Sequence, residues 1–480
     1  IGGANNIFMG SNAGGGTWVT AVSDGNVGIG ATSMSGALNG ALHNTALGFD
    51  TLKVMTTSNY NVAIGAYSQF RNTTGSANTS LGTTSLYSNE AGQYNTAIGY
   101  ESLVGSATGN YSYNVGTGFQ SLRSITTGNS NVGVGYKSLY AITTGANNVV
   151  IGSQAADQIT TQSYNVYVGM NSGRYIDGGG SNVAVGYGTM TSSGTAANNN
   201  ALECVAIGNS VMAAITTGDY NVGVGSNALN DITTGANNVA LGAYALITAT
   251  TSGDNVCIGA NAGQSIAAGQ TTTNGTVAIG RSALTALTSG EKNTAVGYQA
   301  GNILTTGTEN TIIGYDADVD DDGRHGCIVI GAGLSLNTAS HNVVEIGNNT
   351  NSMTYDLDGG DITVTSDVRT KKNIKDTKLG LEFINKLRPI TYETKPTSEY
   401  PKEFEIKNPS EESSGKTWDG LIAQEVKEAI DDMDVGFSGW EEGINTKQRL
   451  SYGKFVMPLI KAVQELSAEV KQLKKQLEDK

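Results

Sequence analysis

The sequence predicts a mostly β chain in two parts. The first is a trimeric β-solenoid or β-roll shaft of 17-residue repeats, and the second is a small α+β segment ending in a helical coiled coil. Three observations predict this. A glycine recurs at the end of an Asn-x-Ala-Ile-Gly unit at 20 positions from Gly10 to Gly347, and 13 of the 19 intervals are 17 residues. Composition changes abruptly at Ser366. The last stretch carries Val456, Leu459, Val463, Leu466, Val470, Leu473 and Leu477 in alternating steps of three and four.

A fixed period of this length is the mark of stacked units, none of which can bury its own apolar face alone. The remaining intervals run from 16 to 22 residues, and the motif resumes after each, so the drift is a loop lengthening within a unit. Each unit reads as a short apolar strand, a glycine bend, a small Ser/Ala-Leu segment and a Thr-Thr-Gly turn, as in Asn131 through Gly145. Side chains alternate across a strand. In Val62-Ala63-Ile64 the branched pair is expected to fill the coil interior, and the alanine side to approach a neighbouring chain. The motif asparagine is expected to form side-chain ladders between coils. About 20 coils at roughly 4.8 Å each give a shaft of about 95 Å. Much Gly and Ala with few large aromatics makes a thin core, so three chains packed side by side or wound together are expected. The repeats (Val-Ala-Ile-Gly followed by small residues) resemble those of trimeric autotransporter adhesin heads and of phage fibre shafts. Gly133-x-Gly135 and Gly223-x-Gly225 do not complete a nucleotide loop and read as structural.

The first 365 residues hold 8 basic and 21 acidic residues, 58 of the 65 glycines and no proline; Ser366–Lys480 hold 20 basic and 21 acidic residues and all 5 prolines. Net charge is thus −13 upstream and −1 downstream, which argues against a nucleic-acid partner. No run approaches the roughly 18 apolar residues of a membrane span, so no membrane insertion is expected. No signal peptide is visible. Ile1 opens inside a repeat unit, which suggests a fragment whose N-terminal attachment region is missing. The expected division is a shaft over 1–350, a linker over 351–365, and a terminal domain over 366–480 with its coiled coil at about 454–478. Cys204, Cys257 and Cys327 are scattered and form no disulfide or zinc pattern; they are expected to be small buried thiols in place of alanine or similar residues.

One site breaks the repeat. Asp318, Asp320 and Asp322 with Gly323 read Asp-x-Asp-x-Asp-Gly, the first half of a calcium loop, in which alternate carboxylates converge on a hard cation. The twelfth position is Val329 rather than a bidentate glutamate, and the competing reading is a solvated acidic loop tip. No other cofactor is required.

Beyond Ser366, Leu379, Phe383, Ile384 and Leu387 recur at helical spacing, with Pro389 ending the helix. Ile390–Thr394 reads as a strand, 396–417 as a loop, and Leu421–Ile430 as an amphipathic helix. The a/d seam of the last stretch implies a coiled coil, with Pro458 bending or starting its helix. Val/Leu seams favour two strands; the long shaft outweighs this short seam in favour of three.

Ser366-Asp367-Val368-Arg369-Thr370-Lys371-Lys372-Asn373-Ile374, then Leu387-Arg388-Pro389 with Tyr392, then Gly420-Leu421-Ile422-Ala423-Gln424-Glu425-Val426 and the terminal helix resemble the C-terminal intramolecular chaperone of phage tail fibres and tailspikes, the endosialidase type. The resemblance implies a homotrimeric domain that aligns three chains while the shaft folds and then releases itself by autoproteolysis between Thr365 and Ser366. Ser366 would be the nucleophile and Lys371 its base, with adjacent Lys372 as the alternative. A serine hydroxyl needs such a base, and nearby positive charge from Arg369 and the paired lysine favours a neutral amine. His43, His325 and His341 all lie upstream, so a Ser-Lys dyad is favoured over a histidine triad. The bland alternative is a helix-capping serine followed by solvated lysines.

The resulting expectation is the distal part of a bacteriophage tail fibre, located in the virion tail and assembled in the host cytoplasm. It would join other tail or baseplate proteins through the missing N-terminal region and meet a host cell-surface receptor or glycan. No enzyme activity on an external substrate is expected, since Glu203 and Glu345 stand isolated and no paired-carboxylate catalytic site is evident. The alternatives are a fragment of a trimeric bacterial surface adhesin and the shaft of a glycan-degrading tailspike.

Overall fold

The computed structural model describes residues 5–19, 21–106, 109–192, 199–266, 274–336, 340–357, 361–364 (backbone), 371–401, 415–443 and 447–479. The chain divides into two units, Ile1–Thr365 and Ser366–Lys480.

The first unit is a β-solenoid. Nineteen strands of three residues, from β1 (Ile7–Met9) to β19 (Ile328–Ile330), stack in parallel and in register, one per coil, and a twentieth, β20 (Val343–Gly347), continues the ladder. The pairing Val132↔Val149, Gly133↔Val150 and Val134↔Ile151 shows the one-unit register. Where the spacing lengthens to 22 residues, Val183 still pairs with Val205, so the extra residues leave the strand stack unchanged.

The motif glycine is required by the distance between coils. Gly135 has φ +134°, and a Cβ there would lie 2.5 Å from the carbonyl oxygen of Gly152, its counterpart in the next coil. Three further positions per coil, here Ser130 (φ 59°), Lys137 (φ 53°) and Leu139 (φ 52°), adopt left-handed backbone without being glycine. This conformation is unfavourable for L-residues. It is held by bonds to both neighbouring coils, Lys137 N–H to Phe119 O at 2.9 Å and Leu139 N–H to Ala155 O at 3.1 Å.

The strand faces are the reverse of the sequence expectation. Ala63 is buried, Val62 is 37% exposed and Ile64 is partly exposed. Along the stack the central residue points inward and the branched residues outward. The interior is filled instead from the opposite wall, where Leu122, Ile125, Leu139 and Ile142 are fully buried, so the strand has room for a small central side chain only. Two sides of a coil trade volume accordingly. Gly133 faces leucine, and a Cβ on it would lie 2.4 Å from Leu122 Cδ1. Buried Tyr167 instead faces Gly173, where a Cβ would sit 2.7 Å from its ring. Phe8 and Gly14 form the same pair near the other end.

The expected asparagine ladder is present. Asn131 Oδ1 accepts both the backbone N–H (3.1 Å) and Nδ2 (3.0 Å) of Asn148, and Asn131 Nδ2 donates to Asn114 Oδ1 (3.1 Å) and Gly145 O (2.9 Å). All of these side chains are buried, so the ladder satisfies polar groups that would otherwise be costly. Threonine hydroxyls form a second row, with Thr126 Oγ1 donating to Thr143 O at 3.1 Å and Thr143 Oγ1 to Thr160 O at 3.0 Å. Two of the three cysteines differ from expectation. Cys257 occupies the inward alanine position of its strand, but Cys204 and Cys327 stand in the asparagine ladder. Cys204 N–H still donates to Asn182 Oδ1 at 2.9 Å. Burial pushes its thiol up to about 11 and that of Cys257 up to about 12, which leaves both protonated and unreactive.

Residues 351–365, expected as linker, carry two strands instead. β21 (Ser352–Asp356) pairs antiparallel with β20, and β22 (Asp361–Val364) pairs antiparallel with β21. This hairpin ends the parallel stack. Buried Glu345 on β20 accepts a hydrogen bond from Ser352 Oγ at 2.6 Å.

The second unit has a small core of Leu379, Phe383, Val426, Ala429, Ile430, Phe437 and Phe455. It contains α1 (Leu381–Lys386), the antiparallel pair β23 (Ile390–Glu393) and β24 (Thr417–Gly420), α2 (Ala423–Asp432), the pair β25 (Trp440–Glu442) and β26 (Gln448–Leu450), and α3 (Val456–Glu478). Pro458 lies in the first turn of α3, where a missing N–H costs nothing. No helix among the described residues is long and apolar enough to cross a membrane.

Candidate functional site

Thr365 and Ser366, the expected cleavage bond and nucleophile, lie outside the described residues. Lys371 and Lys372 are both exposed.

Further along the second unit, motif residues are tied to one another. Arg388 follows α1 and reaches Glu425 on α2, with Nε 3.2 Å from Oε2 and a second contact from its terminal nitrogen to Oε1. The Leu-Arg-Pro and Gln-Glu-Val segments are thereby joined by a forked ion pair. Tyr452 accepts the Leu421 N–H at its hydroxyl, 2.8 Å away. Glu465 on α3 accepts the Leu381 N–H at 2.7 Å and so satisfies the start of α1. Gly380 makes room for it, since a Cβ there would fall 2.2 Å from Glu465 Oε2. Sequence reading missed Glu465; the signal was a glycine just before an uncapped helix start. An apolar groove of about 420 Å³ lies between Ile384, Leu387, Pro389, Leu421, Tyr452, Phe455 and Leu459. The α3 seam is exposed along its length, from Val456 at 47% to Leu477 at 74%.

The acidic loop of the shaft is engaged by the shaft itself. Asp318 is buried and accepts the N–H groups of Val319 (2.9 Å) and Ile303 (3.1 Å); burial raises its carboxyl to about 6. Asp320 forms a forked pair with Arg324 at 2.7 and 2.9 Å. Asp322 accepts from Thr305 Oγ1 at 2.9 Å. The three carboxylates thus turn to separate partners, and no group of three His, Cys, Asp or Glu placed to hold a metal occurs among the described residues. As arranged, these residues do not fit a calcium ion.

The shaft also has an uneven surface. Residues 48–175 carry 5 basic and 4 acidic residues, whereas 176–365 carry 3 and 16. In the first stretch Tyr100, Phe119 and Tyr136 stack in successive coils with ring centres 5.5 Å apart. Lys137 lies 5.2 Å and Arg123 5.8 Å from the Tyr140 ring.

The described chain is thus a repetitive β-solenoid followed by a small α+β unit whose last helix exposes its a/d residues. Residues 366–434 match the protein family described as Chaperone of endosialidase. The match begins at the first residue of the second unit and includes α1 and α2. Together with the solenoid it fits a phage fibre that carries a chaperone domain, and it supports a tail-fibre-like protein. No curated protein and no solved structure gives a significant match.

Proposed function

We propose that this chain is the distal part of a bacteriophage tail fibre, a homotrimer joined to other tail proteins in the virion and aligned during folding by its C-terminal unit. The observation that carries this reading is the Chaperone of endosialidase match starting where the shaft unit ends. Each coil pairs only with its neighbours in the same chain, so nothing in one shaft sets its level against another, and a one-unit slip between identical chains finds nearly the same surface. A terminal domain that holds three chains level removes that ambiguity, and the exposed α3 seam supplies a surface for it.

Release follows by self-cleavage. The Ser366 hydroxyl loses its proton to Lys371 or Lys372 and attacks the Thr365 carbonyl carbon. The Thr365–Ser366 amide breaks, the freed amine takes a proton, and water hydrolyses the resulting ester. Intact mass decides this. The parent is expected as two fragments split at Thr365–Ser366, and Ser366→Ala as one full chain. A parent that stays whole after prolonged incubation would make the unit a permanent trimer cap.

Host contact is assigned to the aromatic and comparatively basic stretch 48–175, whose charge balance suits an anionic surface glycan. Tyr136→Ala with Lys137→Glu is expected to lower binding to acidic bacterial polysaccharides at least tenfold. Unchanged binding by the double variant places the receptor surface elsewhere.

A further inference from the structure

We propose that the outward face of the strand ladder β1–β19 is where three copies of this chain meet, parallel and in register, coil against coil. The inference rests on the trimeric fibre reading above and identifies the shaft surface that builds it.

Every one of the 38 outward positions in these strands is Val, Ile, Leu, Met or Thr, and none is charged or amide-bearing. Val62, Leu81, Val149, Ile151 and Ile207 stand 37–48% exposed. A sheet face in contact with water normally carries polar residues, and a monomer rarely shows an unbroken apolar patch beyond a few hundred Å². Nineteen strands at about 4.8 Å each make this stripe about 90 Å long, and two side-chain rows make it about 10 Å wide. Its area is therefore on the order of 900 Å² per chain, comparable with the roughly 800 Å² that each partner buries in a stable complex.

The occupant follows from the pitch. The rows repeat once per coil without interruption, because lengthened loops leave the strand register intact. A second copy has the same spacing over the same length and offers the same uncharged rows. An irregular globular partner would match a few coils at most. The whole ladder is uncharged on this face, although the first 365 residues carry a net charge of −13. Identical chains can therefore approach here without the repulsion they would meet on the acidic loops.

The test uses the full chain with single substitutions Val224→Cys on this face and Asp231→Cys on the loop wall of the same coil. Both are treated with a short thiol cross-linker and weighed in solution by light scattering. The native cysteines are buried and give little background. A trimer in which Val224→Cys couples at least tenfold more than Asp231→Cys supports the inference. A trimer that couples through Asp231→Cys and not Val224→Cys overturns it while leaving the fibre reading intact. A monomer overturns both. Nitroxide labels at the same two sites give an independent readout: the face requires the shorter interchain distance at position 224.

Discussion

Tyr167→Ala is expected to open the coil around residues 165–176, at a cost of about 3–5 kcal/mol. Its ring is fully buried, and its hydroxyl bonds to Asn165 Oδ1 at 3.2 Å. Elsewhere the same space is filled from the opposite wall, by a leucine facing Gly133. The second substitution Gly173→Leu should therefore recover most of the loss, because Gly173 has φ +63°, close to the +52° that Leu139 adopts at the equivalent position. Gly173→Leu alone should be as damaging as Tyr167→Ala, since two large groups then claim one space. Amide exchange across Val166–Val185 would read the cycle. Independent losses in the double variant would refute the trade of volume.

Asn131→Ala should carry the other large cost. It leaves the Asn148 N–H, one Asn148 side-chain donor and the Gly145 carbonyl without their ladder partner in a buried site. At about 1–3 kcal/mol for each unsatisfied group the coil should lose at least about 3 kcal/mol. Asn131→Cys should be milder. The chain already places cysteine at this position in two coils, and the Cys204 sulphur hydrogen-bonds to Gly218 O at 3.3 Å. Faster exchange at Val132 and Asn148 in the alanine variant than in the cysteine variant is the expected result; equal exchange would leave the ladder without energetic weight.

The coil was legible because its causes are local and repeat. The motif glycine marks a position where a Cβ meets the next coil's backbone, and the asparagine marks a buried donor and acceptor that must be paired at every level. Periodicity also revealed that Val62 and Ile64 share a face, but it does not say which face is inside. That was decided by Leu139, on left-handed backbone, and Ile142 in the turn segment, which put bulk inward and have no short sequence signature. Cys204 and Cys327 were legible but misread: each stands four residues before its motif glycine, as Asn131 does before Gly135, and the bond from Cys204 N–H to Asn182 Oδ1 agrees that they replace asparagine rather than alanine. Residues 351–365 looked like a linker because the 17-residue period had ended, yet a change of strand direction keeps β21 and β22 in the sheet. In the second unit the helices followed from apolar spacing, whereas Glu465 meets Leu381 across 84 residues of chain and left only Gly380 as a trace.

The hairpin of β20, β21 and β22 is where the described shaft turns back on itself, and it contacts the stack through a single coil. Upstream of it, each unit sees only the unit before and the unit after. A crossover between any two coils therefore adds or removes whole coils and leaves the terminal hairpin and the second unit unaltered. Reach becomes a heritable quantity that changes in steps of about 4.8 Å, so lineages can lengthen or shorten the shaft without having to solve its folding again.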